Sequence, residues 1–166
     1  MQLARFIQLA YTLKSLKRAG WVRAGVSNPE SVAAHSWGMA LLVIQLAPPH
    51  IDIAKALKMA LIHDLPEVIV GDITPHDGVS KQVKHAQEYE AAQRLFSDEL
   101  LSLWLEYTRK ESPEAQFVSH LDKLDMGFQA HIYSSDIDAS EFMDSALRDL
   151  PPSYQDLLRS WEPNRE

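Results

Sequence analysis

Side chains that could bind a metal ion interrupt three apolar helical stripes of this sequence. His35 lies within the first stripe, and His63 and Asp64 come at the end of the second. Asp122 and Asp125 lie on the third. A carboxylate that faces a protein core is rare unless it is paired or bound to a metal, because desolvating its charge is unfavourable. The pattern therefore points to a shared polar site between three packed helices.

Two histidines and two aspartates form a ligand set of imidazole nitrogens and carboxylate oxygens. This set suits Mn, Fe, Co, Ni or Zn, and Mg less well. Taken singly, such a His is usually a hydrogen-bonded core residue, and such an Asp is usually a cap or an ion-pair partner. Their joint occurrence predicts one divalent transition-metal ion. Four protein ligands leave positions open on a six-coordinate ion, which is typical of a catalytic site.

Helical periodicity dominates the elements that must position these residues, so we predict an all-α fold of about six or seven helices. Ser31 is a candidate N-cap, and Pro48 cannot continue the helix that follows Ser31. Residues 68–79 form the one segment predicted as strand or turn, and Trp37 is predicted to lie in the core. The predicted helices cover about 2–18, 31–46, 52–64, 80–108, 112–133, 141–149 and 153–161.

Composition excludes several classes of protein. The chain has 166 residues and no cysteine, which excludes a disulfide scaffold, an iron–sulfur cluster and a thiol nucleophile. The net charge of −7 argues against binding to a nucleic acid polymer through a broad basic surface. No apolar stretch has membrane-spanning length, and the first residues lack the features of a signal peptide. We therefore expect no membrane partner and a cytoplasmic location.

The order of the candidate ligands, an isolated His, then an adjacent His-Asp pair, then a distant Asp, resembles the HD-domain metal-dependent phosphohydrolase superfamily. Three stretches are similar to its 5′-deoxynucleotidase branch. They are GWVRAGVSNPESVAAHS at 20–36, ALIHDLPEVIVGDITP at 60–75 and AQFVSHLDKLDMGFQA at 115–130.

The resemblance implies a role for individual residues. It assigns the ligands of the metal ion to His35, His63, Asp64 and Asp122. Glu67 matches the carboxylate that aligns or deprotonates the attacking water, and Asp72 matches a second acidic residue of the site. Asp125, one helical turn after Asp122, is expected to support a ligand rather than bind the ion itself.

The resemblance also implies how the substrate is bound. Trp21 matches a tryptophan that packs against the deoxyribose and excludes a 2′-hydroxyl. The bacterial deoxyribonucleoside 5′-monophosphatase has an arginine that contacts phosphate immediately before this tryptophan, whereas this chain has Gly20. Arg18 and Arg23 are the two candidates for replacing that arginine.

The implied activity is removal of the 5′-phosphate from a 2′-deoxynucleoside 5′-monophosphate by attack of water. One alternative keeps the site and changes the substrate to another nucleotide or phosphate ester. A triphosphohydrolase should need more cations than this acidic chain offers. A second alternative is a sensor module that binds a metal and a nucleotide without turnover. Glu67 and Asp72 argue against it, because binding alone needs no carboxylate that directs water.

The resemblance further implies one HD domain over residues 1–166. Its metal-site core is expected at about 20–133, followed by C-terminal helices at 141–161. Exposed apolar helix faces would suit a homodimer, although the pattern does not locate its interface.

Overall fold

The computed structural model describes residues 3–161 and confirms the all-α class. Within this range the only β pairing is an isolated bridge between Lys17 and Ser31. The predicted domain limits at 1 and 166 lie outside the described residues. The α-helices are α1 (Leu3–Thr12), α2 (Ala19–Arg23), α3 (Val32–Leu46), α4 (Ile53–Ile62), α5 (Glu67–Val70), α6 (Lys81–Leu95), α7 (Asp98–Arg109), α8 (Pro113–Tyr133), α9 (Ser140–Asp149) and α10 (Pro152–Arg159).

Side-chain caps define the starts of the three helices that carry the candidate ligands. Ser31, Asp52 and Ser112 stand immediately before α3, α4 and α8. Each side chain accepts a hydrogen bond at 3.1 Å from the backbone N–H three residues later. Such caps satisfy backbone donors that have no partner within the helix. The predicted starts of these helices are confirmed.

Several predicted segments differ from the structure, which has more helices than expected. The helix predicted over 2–18 ends at Thr12, and a separate short helix, α2, follows at Ala19–Arg23. The segment predicted as one helix over 80–108 is divided, because Ser97 caps a new helix and acidic residues follow it in the first turn. The segment predicted as strand or turn holds α5 and, at Pro75–Asp77, a single 3₁₀ turn. Its run of branched apolar residues is too short for strand pairing, and Pro66 begins a helical turn instead.

Helices α3, α4 and α8 pack against one another and form the main core. Met39, Val43, Met59, Leu121 and Leu124 are fully buried there. Because each of the three helices also carries a candidate ligand, the packing that buries these side chains fixes the ligands relative to one another.

The prediction that Trp37 lies in the core is wrong, since this residue of α3 is 67% exposed. Leu61 of α4 is also exposed. Helix α3 is apolar around most of its circumference, so its periodicity does not select the face that is buried. No helix within the described range is long and apolar enough to cross a bilayer.

Candidate active site

The four predicted ligands meet where α3, α4 and α8 converge. The Nε2 atom of His63 lies 3.0 Å from Oδ2 of Asp64. The Nε2 atom of His35 lies 3.2 Å from Oδ1 of Asp122 and 3.9 Å from Oδ2 of Asp64. One donor atom from each of His35, His63 and Asp64 falls within 4.8 Å of the others. This arrangement could hold a metal ion.

Hydrogen bonds fix the orientation of both imidazole rings. Nδ1 of His35 lies 2.7 Å from Oδ2 of Asp125, and Nδ1 of His63 lies 2.9 Å from the carbonyl oxygen of Ala60. An acceptor beside Nδ1 favours a proton on that nitrogen and leaves the lone pair on Nε2. Both Nε2 atoms are buried without a hydrogen-bond partner in the part of the chain that is described. The two rings are therefore positioned to donate lone pairs to one cation.

The charges of the cluster also fit a cation. In each close pair a ring Nε2 lone pair faces a carboxylate oxygen, and two acceptors at 3.0–3.2 Å repel unless a proton or a metal ion lies between them. Burial and the Arg18 charge lower the pKa of His35, but the adjacent carboxylates of Asp122 and Asp125 outweigh them and raise the pKa to about 9. Without a metal, a proton on His35 would relieve the repulsion.

Both aspartates that are predicted as ligands are held in the charged form. Burial alone would raise the pKa of Asp64, but the nearby His63 and Arg18 lower it below its ordinary value. Burial likewise opposes ionisation of Asp122, whereas Lys123 and His35 hold its pKa well below the ordinary range. The cluster therefore presents two anionic ligands at neutral pH.

Glu67 is a buried carboxylate beside the ligand cluster. It is the first residue of α5, and its Oε2 atom has no hydrogen-bond partner among residues 3–161. Burial, followed by the charges of Asp64 and Asp72, raises its pKa well above the ordinary value. A buried carboxylate oxygen without a partner is unfavourable, so its presence at this position indicates a ligand or a water on that side.

Arg18 and Asp72 border the same cluster. Arg18 NH1 lies 3.3 Å from Oδ2 of Asp64. Burial lowers the pKa of Arg18, but the charges of Asp64, Asp72 and Asp122 raise it above its ordinary value, so the guanidinium stays charged. Oδ2 of Asp72 accepts a hydrogen bond of 2.7 Å from the backbone N–H of Ala19, at the start of α2. Asp72 thereby holds the segment that carries Arg18.

Arg23 lies farther out. Its NH2 group donates to both carboxylate oxygens of Glu141, at 2.8 and 2.9 Å, in an exposed ion pair. Of the two arginines considered from the sequence, the structure places Arg18 beside the ligand cluster and Arg23 at the rim of the cavity.

A cavity of about 610 Å³ opens from the cluster to the surface. His63, Asp64, Glu67 and Asp122 are among the residues that line it. Trp21 contributes to its wall but is only 2% exposed, and its Nε1 donates to Oε1 of Glu30 at 3.0 Å. The cavity therefore joins the predicted metal site to the predicted sugar contact.

Several other residues that line the cavity were not assigned to the site from the sequence, among them Lys84, Lys123, Glu141 and Phe142. Nζ of Lys123 lies 3.0 Å from Oδ2 of Asp122, and its position directly after a predicted ligand was a usable signal. Glu141 and Phe142 belong to α9, which was placed outside the metal-site core. Nothing in their spacing relates them to the ligands, because only the turn between α8 and α9 brings them to the cavity.

Comparison with known proteins identifies the family. A sequence model described as HD domain matches residues 10–156. The chain belongs to the HD-domain family. HD-domain phosphohydrolases depend on metal ions, and the His and Asp cluster described above is consistent with that dependence.

Relatives of known name support the same assignment. The human 5′-deoxynucleotidase HDDC2 is 38% identical over 138 residues, which cover 79% of this chain and 68% of the relative. The 5′-deoxynucleotidase hdd1 of Schizosaccharomyces pombe is 38% identical over 144 residues, covering 80% of this chain and 73% of that protein. The resemblance to the 5′-deoxynucleotidase branch is confirmed.

A solved structure matches the fold over almost the whole chain. The PH0347 protein from Pyrococcus horikoshii OT3 superposes with a TM-score of 0.83 at 38% identity, covering 95% of this chain and 97% of that one. The arrangement of helices around the cluster is thus shared with a relative of known structure.

Proposed function

We propose that this chain is a metal-dependent 5′-deoxynucleotidase, which hydrolyses a 2′-deoxynucleoside 5′-monophosphate to a deoxynucleoside and phosphate. The names of its relatives support this activity. One observation carries it: two buried Nε2 atoms converge with two aspartates at the closed end of a cavity, next to a carboxylate with an oxygen that lacks a partner in the described chain.

The proposed ligands of one divalent ion are His35, His63, Asp64 and Asp122. The candidate ions are Mn, Fe, Co, Ni and Zn, which bind imidazole and carboxylate together. Such an ion supplies a Lewis acid for a phosphoryl oxygen and lowers the pKa of a bound water. The residues around it position the rings and balance the charge.

Glu67 is proposed to accept a proton from the attacking water through Oε2. The water oxygen forms a new bond to phosphorus while the bond from phosphorus to the 5′ oxygen breaks. The 5′ oxygen leaves with the electron pair and takes a proton from solvent water to become the hydroxyl of the deoxynucleoside, and Glu67 returns its proton to solvent. A positioned carboxylate suits this task, because the phosphate dianion repels hydroxide from bulk water and needs an aligned nucleophile.

Arg18 is proposed to bind the phosphate, since its guanidinium lies beside Asp64 and remains charged. Asp72 is proposed to keep Arg18 and Trp21 in place through the bond to the start of α2. Trp21 is proposed to set the shape of the wall against which C2′ lies. A rigid wall at that point disfavours a hydroxyl by steric exclusion.

The test is phosphate release by the purified protein from a panel of nucleotides with each of the five metals. We expect turnover of deoxynucleoside monophosphates and a preference for dAMP over AMP of about 10- to 200-fold, the usual range for exclusion of one small group. Trp21→Ala should lower the ratio of dAMP turnover to AMP turnover.

The same panel separates the alternatives. Equal turnover of dAMP and AMP would remove the deoxy preference, and release only from other phosphate esters would change the substrate class. Nucleotide binding without release under any of the metals would indicate a sensor module and overturn the enzymatic assignment.

We also propose that two copies of the chain associate through α3. Trp37, Leu41 and Ile44 are exposed on this helix at spacings of four and three residues, which places them on one face. Sedimentation should show a dimer that Trp37→Glu converts to a monomer, and a monomeric wild type would refute the proposal. The cytoplasmic location and the lack of a nucleic acid partner stay predictions from composition.

A further inference from the structure

Phe142 of α9 covers the tryptophan that forms the cavity wall. The ring centroids of Trp21 and Phe142 are 4.0 Å apart, with an angle of 32° between the planes. Gly20 permits this approach, since a Cβ atom at that position would lie 3.0 Å from Cε1 of Phe142. Tyr133 packs edge-on against Trp21 from another direction, and Trp21 is left 2% exposed. Phe142 is only partly buried and therefore presents more aromatic surface to the cavity than Trp21 does.

Exposure shows which end of the cavity Phe142 is near. At the inner end, the side chains of Arg18 and Asp64 are 16% and 19% exposed. At the outer end, Arg23 and Glu141 are 37% and 53% exposed. Phe142 follows Glu141 in the chain, and the guanidinium carbon of Arg23 lies 5.9 Å from its ring centroid. The ring thus lies toward the outer end.

An ion pair and a hydrogen bond hold the start of α9 in this position. Besides its paired contact with Arg23 of α2, the Glu141 carboxylate lies 2.7 Å from Nε2 of His76 in the 3₁₀ turn. Glu141 of α9 therefore contacts two other parts of the cavity wall, which are α2 and the 3₁₀ turn. The adjacent Phe142 ring is placed before any ligand arrives, which reduces the entropy lost when a ligand stacks on it.

We infer that Phe142 is the stacking surface for the nucleobase. The inference rests on the proposed function, because it takes the phosphate to lie at the inner end beside Arg18. A mononucleotide bound in that direction extends its base outward past the Phe142 ring. Stacking on an aromatic ring tolerates every base, since each base has a π face. The subsite should therefore hold purines and pyrimidines alike.

The experiment compares two substrates that differ only by the base: dAMP and 2-deoxyribose 5-phosphate. Phe142→Leu keeps an apolar side chain in the wall but removes the ring. We expect it to raise KM for dAMP by about 5- to 150-fold, the effect of losing one stacked base, and to change kcat/KM for 2-deoxyribose 5-phosphate by less than about twofold. Phe142→Tyr keeps an aromatic ring at this position, so it should have the wild-type KM for dAMP.

The matched control is Phe128→Leu, because Phe128 packs against Trp161 and is not among the residues that line the cavity. Phe128→Leu should leave KM for dAMP and kcat/KM for 2-deoxyribose 5-phosphate unchanged. Equal losses on both substrates in Phe142→Leu would show a structural role and overturn the inference, as would an unchanged KM for dAMP. Calorimetric binding of dAMP is measured in parallel. If the wild type binds dAMP without cleaving it, the proposed function fails, while selective loss of that binding in Phe142→Leu still supports the subsite.

Discussion

Removing the carboxylate of Asp125 should weaken metal binding without removing a ligand. Its Oδ2 lies 2.7 Å from Nδ1 of His35, whose side chain is completely buried. In Asp125→Ala the N–H at Nδ1 loses its acceptor, so the ring is no longer held with its Nε2 lone pair toward the cluster. Losing such a partner typically weakens metal affinity about 10- to 100-fold, which corresponds to roughly 1.4–2.7 kcal/mol.

Gly38 provides a second route to the same effect. An Ala Cβ at this position would fall 2.2 Å from Oδ1 and 3.1 Å from Cγ of Asp125. The carboxylate would have to move by about 1 Å to reach van der Waals contact, which stretches the bond to His35 beyond the range of a hydrogen bond. Gly38→Ala should therefore also weaken metal binding. Ala favours a helix interior over Gly by about 1 kcal/mol, so loss of the helix does not explain that result.

The assay is calorimetric titration of Zn²⁺ or Mn²⁺ into protein first treated with a chelator, with circular dichroism to confirm the fold. Asp156→Ala is the control, because Asp156 is exposed on α10 and its one ion pair within residues 3–161 is with Arg159. If Asp125→Ala binds metal within about twofold of the wild type while folded, the hydrogen bond does not position His35 and the argument fails.

Three other predictions follow from the site. Glu67→Ala should retain metal by elemental analysis but lose about 10²- to 10⁴-fold in kcat, the usual effect of losing a general base; near-normal turnover would contradict its role. Arg18→Met should lower kcat/KM for 2-deoxyribose 5-phosphate, which has no base, by about 10- to 150-fold, as for a charged hydrogen bond, whereas Arg23→Met should change it less than threefold, and equal effects would refute the assignment. In metal-free protein the pKa of His35 is raised from its ordinary 6.5 to about 9. The contribution of charged His35 to the stability of the fold is therefore complete below about pH 6.5 and is lost as the pH rises toward 9. Thermal unfolding should show that decline in the wild type and not in His35→Gln, and parallel curves would show that His35 does not cause it.

The grouping of the four candidate ligands could be predicted from the sequence because the information that specifies it is local. Ser31 and Ser112 mark helix starts, and a ligand four residues after Ser31 or ten residues after Ser112 then has a defined face. Packing of the three apolar helices brings these faces together. His35, His63, Asp64 and Asp122 are grouped in the structure as the pattern indicated.

Other features depend on tertiary contacts that local patterns do not encode. Trp37 was placed in the core, but α3 is apolar on several faces and only packing decides which face is buried. The choice between Arg18 and Arg23 could not be made from spacing, because it depends on the turn of α2 and on Glu141, 118 residues away from Arg23 in sequence. Phe142 was missed for the same reason.

The origin of the cavity walls has a consequence for how this protein could diverge. The proposed metal ligands lie on α3, directly after α4 and on α8, whereas part of the outer wall comes from α9 through Glu141 and Phe142. Substitutions on α9 can therefore accumulate without altering a single metal ligand. Gene duplicates could acquire new ester substrates by changing one short helix, while the hydrolytic chemistry is inherited unchanged.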